Sequence, residues 1–544
     1  MFTHAGRNIN TFTEGSESPG ALAWVSITYE WNTMYLAIRQ ANIAIQELPN
    51  STFSDTELRD RLLGEAHFLR AYYYHQLLRY YGAVPIITTP FNLGDDFSVS
   101  RNSFEENIDA IIGDLDLATS LLSGKTETAG RANDVAAMAL KARVLLYAAS
   151  DLHESSKASS VGAGGEFWAY QGGSQEQRWS LAQAAARAVL DRSPGYKLDL
   201  SAPASLEEGE QNYISIAMGG QSAVGDPAAV AELIFQRTHT AEFTAEDAWP
   251  LGGINYGINN GPNGYHNWAG NTPIQQLVDD YEMMDGTPFD WSNPDHASAP
   301  FKNRDPRFYG VIMYDGVEWK PRPSDVAGME PFNRLQTGAY DDGAGGLVNG
   351  IDTRESPVEN WNGSRTHYYT RKFIDPDPDK IDNFSDAQII PWPFIRTTEM
   401  ALSYAEASFE LGQEDIARDW INRIRFRAGM PAIDDTGDAL LERIRNERRL
   451  ELVYEEHRYH DARRWLIGEE LGRGIQAVNI RATLKPGMSP NVPYRHDESV
   501  YDYSYEVFEN TENETRVWDN KMYYRPISRD EINRNSLLVQ NPGY

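Results

Sequence analysis

The sequence predicts a mainly α-helical fold, a helical scaffold in two sequence halves with a loop-rich region inserted between them, and three observations predict it. The two ends of the 544-residue chain carry apolar residues at helical spacing, bounded by cap and stop signals. Between them, over about residues 196–395, the texture turns to Gly, Pro, Asn and Trp with only short periodic runs. Aromatic residues make up 11% of the chain, with 13 Trp and 29 Tyr, which argues that this irregular middle is packed and not disordered.

The first helix is expected over about residues 27–48, where Met34, Leu36, Ile38, Ile43, Ile45 and Leu48 supply an apolar face and Pro49 stops it. Trp31 falls on that face with Tyr35 and Ile38 and reads as core. Ser54 and Glu57 have the spacing of a capping box, so a second helix should run over about 55–81 and end at Gly82 and Pro85. Ser103 and Glu106 repeat the box ahead of a helix to about Leu122. Further helices are expected from about Asp134 and over about 181–190.

Downstream, "RTTEMALSYAEASFELG" and "EDIARDWINRIRFRAG" form a pair joined at Gly412, and "GDALLERIRNERRLELVYEEHRYHDARRWL" forms a long helix and its successor. Ala405, Ala407 and Ala417 are small where helices must approach closely. The arrangement resembles tetratricopeptide-type stacking without its letter-level signature. One unit over 1–544 is therefore expected, with a helical scaffold at 27–195, a loop-rich ligand-binding insertion at 196–395, and a second scaffold with its tail at 396–544.

Composition narrows the function. A formal net charge of -30 (49 basic against 79 acidic residues) opposes phosphate backbones and anionic surfaces, so nucleic acid is not an expected partner. With no cysteine there are no disulfides, thiolate metal sites or thiol nucleophiles. No run approaches the roughly 18 apolar residues of a membrane span, and the first twenty residues hold no signal-peptide h-region.

Several stretches resemble the SusD/RagB family of surface lipoproteins. "GEAHFLRAYYYHQLLRYYGAVPII" (64–87) is similar to its early helix and Gly-x-x-Pro exit, "TPIQQLVDDYEMMDG" (272–286) to its Pro-x-x-x-Leu-Val-x-x-Tyr segment, and "NRDPRF" (303–308) to its Asp-Pro-Arg motif. "FIRTTEMALSYAEA", "INRIRFRAGMP", "IRNERRLELVYEEHRYHDARRW" and "RPISRDEINRNSLLVQNPGY" follow in the family's order.

The resemblance implies a SusD-like fold of four tetratricopeptide-like helix pairs. It also implies a place on the outer membrane, at the cell surface of a Gram-negative bacterium, and capture of glycans for a SusC-type TonB-dependent transporter. The family's lipid-bearing cysteine is absent, so Met1 is expected to mark a trimmed or internal start and the outer-membrane anchor to lie outside this sequence. A peptide-binding, RagB-like member of the same family is the alternative. A helical-repeat interaction scaffold and a glycoside hydrolase are further ones.

The sharpest site signal is "WPLGGINYGINNGPNGYHNWAGNTP" (249–273), which has no acidic residue, no lysine and no arginine, yet holds six asparagines and five aromatic or imidazole rings. Sugars present apolar C–H faces and a rim of hydroxyls, so their sites need flat rings beside amides. Trp268, Tyr265, Tyr256 and Trp249 are the expected stacking residues, with Asn267 and Asn263 as hydrogen-bonding partners. The resemblance adds Trp24, ahead of the first helix. The same composition also suits rings that pin a long loop to its scaffold.

Other motifs read as structural. His457 and His460 lack a His-Glu-x-x-His order, and Arg448 with Glu451 and Glu455 with Arg458 have i,i+3 spacing. Asp375 to Asp386 reads as a solvated acidic loop, with calcium the lesser alternative. No catalytic residue and no cofactor is assigned, so the expected chemistry is binding without catalysis.

Overall fold

The computed structural model describes residues 2–3, 9–23, 30–52, 54–125, 128–239, 253–381, 386, 388–512 and 514–544. Helix α1, Trp31–Glu47, buries Trp31, Met34, Ile38 and Ala41 along one stripe. Helix α2, Thr56–Tyr81, starts one residue later than the expected box allows: Asp55 and not Ser54 is the N-cap, its carboxylate accepting from the Leu58 amide. It ends at Gly82, whose positive φ of 74° and approach to the Phe167 carbonyl leave no room for a side chain.

Helix α3, Phe104–Leu122, realises the expected capping box: Ser103 Oγ accepts from the Glu106 amide and Glu106 accepts from the Ser103 amide at 2.7 Å. Helix α4, Asp134–Ala149, is capped by Asn133, and α5, Gln175–Arg192, by Ser174. Helix α6, Leu206–Ala217, lies inside the irregular middle. The downstream helices are α7 (Thr397–Glu410), α8 (Glu414–Arg427), α9 (Gly437–Glu451) and α10 (Arg458–Arg464).

Each helix packs on its neighbour from α1 to α5; α5 then packs on α7, and α7 on α8 and α9. The stack is thus continuous in space although the chain leaves it for some two hundred residues. Alanines permit the close contacts: Ala139, Ala142, Ala405, Ala407 and Ala417 are fully buried.

The irregular middle returns to the stack through one antiparallel pair, β1 (Leu233–Arg237) with β4 (Trp392–Arg396). A four-stranded sheet, not expected from the sequence, joins β2 (Ala339–Asp341) and β3 (Leu347–Asn349) to the hairpin of β5 (Gln476–Leu484) and β6 (Tyr501–Glu509), in the order β6-β5-β2-β3. β2 and β5 run parallel.

Middle and scaffold meet at a buried ionic junction. Arg307, from the Asp-Pro-Arg motif, pairs with Asp305 at 2.7 Å and with Glu447 and Glu451 on α9. Arg396 reaches Glu232, Glu451 and Glu455, while Arg427 reaches Glu232 and Glu451. The expected i,i+3 pair of Arg448 with Glu451 is therefore not formed. Both side chains are buried, Glu451 faces arginines from three distant segments, and Arg448 bonds Asp461 at 2.9 Å. Glu455 likewise turns from Arg458 to Lys372 and Arg396.

Candidate functional site

The structure turns most of the predicted aromatic segment inward. Tyr265 is buried, its hydroxyl donating to the Lys320 carbonyl at 2.6 Å and its ring lying 4.4 Å from the Arg322 guanidinium, which is paired with Asp352. Asn263 is wholly buried: its amide donates to the carbonyls of Thr353 and Glu359, and its oxygen accepts from the Tyr369 hydroxyl. Asn267 is also buried. The expectation that these three side chains face a ligand is corrected by their burial, and for Tyr265 and Asn263 by the carbonyls around them, because an irregular backbone leaves acceptors that only side-chain donors can satisfy.

Tyr256 packs its ring against Phe373 and Trp392, at 5.6 and 6.2 Å between centroids, and its buried hydroxyl has no hydrogen-bond partner among the described residues. Trp268 is half-buried, with its amide donating to the Ile258 carbonyl. Trp24 and Trp249 lie outside the described residues. At the segment's exposed edge, His266 sits 3.3 Å from Glu359 and 3.1 Å from Asp325. Two residues beyond Glu359, Trp361 is 62% exposed, and no other described tryptophan is as open.

An open groove of about 1040 Å³ lies elsewhere, against the scaffold. One wall is α1, the other the irregular chain of residues 85–99 that follows α2, and the end is closed by residues 531–538 of the tail. Its rings are those of Trp31, Tyr35, Phe91 and Phe97; Phe91 and Phe97 meet edge to face at 5.3 Å, and Phe97 is 54% exposed. Leu36 and Leu93 are also open, and Asn32, Arg39, Asn92 and Arg534 bring polar groups to the same walls. Such a mixture of uncovered rings with amides and guanidinium groups suits an oligomeric ligand with apolar faces and hydroxyl edges.

Buried polar groups hold the groove in shape. Tyr35 donates to the Pro85 carbonyl at 2.7 Å, and Tyr74 both donates to the Ile87 carbonyl and accepts from its amide. Burial raises both phenols, with their proximity to each other adding to the effect at Tyr35, so they remain protonated donors. Beneath them Asn42 donates to the Ile87 carbonyl and accepts from Arg70, whose guanidinium is paired with Asp114. Asn535 ties the tail to the Val99 carbonyl at 2.7 Å. Sequence reasoning missed this site, although Phe91, Leu93 and Phe97 within an Asp- and Asn-rich loop were a readable signal.

The remaining motifs behave as packing elements. Burial and the surrounding arginines push His457 and His460 well below the usual imidazole range, and cationic neighbours such as Arg448 and Arg463 oppose a metal there. Asp375 is buried and not solvated: Ser222 and the Lys380 ammonium occupy its two oxygens, a lysine standing where a cation would. Among the described residues no helix is long and apolar enough to cross a membrane.

Comparison with known proteins agrees with this architecture. A model described as the SusD family matches residues 231–544. A second, described as starch-binding associating with outer membrane, matches residues 4–146. The SusD-like protein P38 of Formosa agariphila is 31% identical over 119 residues, 22% of this chain and 23% of that protein. The SusD-like protein P25 of the same organism is 21% identical over 81% of this chain and 71% of its own.

Among solved structures, a SusD-like protein from Bacteroides fragilis NCTC 9343 superposes with a TM-score of 0.70 at 25% identity, over 98% of this chain and 89% of that one. A laminarin binding SusD-like protein superposes with a TM-score of 0.57 at 20% identity, over 99% and 90%.

Proposed function

The chain belongs to the SusD family, and from that premise we propose that it binds oligo- or polysaccharide at the cell surface and delivers it to a TonB-dependent transporter of the SusC type. The observation that carries this reading is the open groove with the exposed ring of Phe97 and the half-buried ring of Phe91 beside Arg39, Asn32 and Asn92. Support comes also from the outer-membrane association in the description of the second family model and from the laminarin ligand in the name of a protein of similar fold.

Capture needs no covalent step. Ring faces cover the apolar face of a sugar, and amides and guanidinium groups pair with its hydroxyls. Hydrolysis calls for two carboxyl groups some 5–10 Å apart. Among the groove's described lining residues only Glu531 is a carboxylate, and it is engaged by Arg534 at 2.8 Å. Many modest contacts suit a protein that must release its ligand to a transporter.

Truncating Phe97 measures the platform. At 54% exposure about 100 Å² of the side chain is open. Covering half of it is worth about 1.2 kcal/mol, or roughly five- to tenfold in affinity. Affinity electrophoresis through neutral polysaccharides, followed by calorimetry with their oligosaccharides, should show that loss in Phe97→Ala with unfolding unchanged.

The inward packing of Tyr265, Asn263 and Asn267 favours one second reading, peptide capture, in which residues 85–99 offer backbone partners to an extended chain. A wild-type protein that ignores every glycan and retains extended peptides would replace the saccharide reading by this one.

A further inference from the structure

A second cleft, of about 580 Å³, shares no lining residue with the groove. It opens between the chain around Lys302, residues 314–316 and residues 332–334, and is closed by residues 495–499 ahead of β6. Its carboxylates are engaged by the protein. Asp315 accepts from the amides of Thr337 and Gly338 and lies 2.8 Å from His496 Nδ1. Asp497 accepts from Ser499, Asn491 and Arg495. Glu498 accepts from Lys302 at 2.7 Å.

The donors are in the opposite condition. Among the described residues the guanidinium of the half-buried Arg334 has no hydrogen-bond or ion-pair partner, and the hydroxyls of the half-buried Tyr314 and Tyr505 have none. Burial raises both phenols, so they stay protonated and able to donate. At the rim Phe332 is 46% exposed, with the Arg495 guanidinium 4.5 Å from its ring centroid. A partly desolvated guanidinium without a counter-charge is a standing cost that an oxyanion offsets, most effectively when it can accept two parallel N–H bonds.

We propose that this cleft is a second ligand site, one that takes an anionic sugar residue. The carboxylate or sulfate of the sugar meets the Arg334 guanidinium with the Tyr314 and Tyr505 hydroxyls, and its ring face rests on Phe332. The proposal rests on reading the protein as a saccharide binder, and it accounts for a place where a chain of net charge -30 admits an anion. Local engagement of each carboxylate outweighs the distant negative charge, which salt screens beyond about 10 Å.

Calorimetry on the full chain separates the possibilities, using tetragalacturonate (carboxylate only), a κ-carrageenan tetrasaccharide (sulfate only) and neutral cellotetraose. At least one anionic ligand is expected to bind the wild type, and the one that does identifies the oxyanion. Arg334→Gln should weaken that ligand about tenfold or more, Arg334→Lys should recover part of the loss, and Phe97→Ala should leave it unchanged. If Arg334→Gln does not fold, judged by its circular dichroism melt, Tyr505→Phe and Phe332→Ala take its place, with expected losses of roughly threefold or more. No binding of either anionic ligand, binding indifferent to these variants, or anionic binding abolished by Phe97→Ala overturns the proposal. Neutral glycan binding and its response to Phe97→Ala report on the groove alone.

Discussion

Replacing Glu451 by glutamine tests how the loop-rich middle is fastened to the helical stack. Glu451 ends α9 and is buried. Arg427 approaches one carboxylate oxygen to 2.8 Å and Arg396 to 3.1 Å, and Arg307 approaches the other to 3.2 Å. Burial alone would raise its pKa, but Arg427, Arg396 and Arg307 outweigh burial and hold the carboxyl at about 2, against an ordinary value of 4.5.

That displacement corresponds to about 3 kcal/mol of folding free energy at neutral pH, at the lower end of the roughly 3–5 kcal/mol seen when one partner of a buried pair is removed. Because the folded pKa is depressed, the contribution is complete above about pH 4.5 and is lost as pH falls toward 2. Urea unfolding followed by tryptophan fluorescence should therefore show Glu451→Gln weaker by about 3 kcal/mol at pH 7. The gap to wild type should stay level down to about pH 5 and narrow below it. A variant as stable as wild type at pH 7, or a gap that widens on acidification, would refute the account of the junction.

Asn42→Ala should cost about 1–3 kcal/mol, because it unpairs a guanidinium N–H of Arg70 and removes one of the two donors to the Ile87 carbonyl, Tyr74 being the other. By loosening residues 85–99 it should also weaken glycan binding roughly threefold or more, read by calorimetry beside urea unfolding. Tyr265→Phe should cost about 1–2 kcal/mol through the unpaired Lys320 carbonyl while glycan affinity is unchanged. Trp268→Ala should leave groove binding within about twofold of wild type, since the ring lines neither wall; a larger fall would return Trp268 to the ligand surface.

The helical stack was legible because its signals are local. Ser103 and Glu106 stand at the spacing of a capping box and form one, and Trp31, read as core with Tyr35 and Ile38, is buried with Ile38 while Tyr35 stays half-buried. Where a neighbour offers an equal cap, local reading slips: Asp55 displaced Ser54. Pairing of charges was less legible. Arg448 and Glu451 stand three apart on α9, yet each turns to a distant partner, because sequence spacing does not distinguish a solvated helix face from a buried junction. The β5–β6 hairpin was readable and missed: buried and open positions alternate along "YDYSYEVFE" and much of "QAVNIRATL", a period-two pattern among long helical runs.

The burial of Tyr265, Asn263 and Asn267 was hidden for a different reason. Rings and amides crowd both a loop that must be buried and a surface that must hold sugar, so composition alone selects neither. What separates them is whether the polar groups are already engaged. Asn263 engages both amide N–H groups and one oxygen lone pair within the protein and is wholly buried, out of a ligand's reach. In the groove the Arg39 guanidinium and the Asn92 side-chain amide have no protein partner among the described residues, and they line it together with the exposed ring of Phe97. Engagement is a property of the carbonyls and carboxylates that folding brings near, and those come from segments as distant as residues 353 and 359 are from 263. The charge-free segment therefore marks where the loop-rich region is held together, and the proposed ligand surface is the one where helix α1 meets a loop whose donors folding left unused.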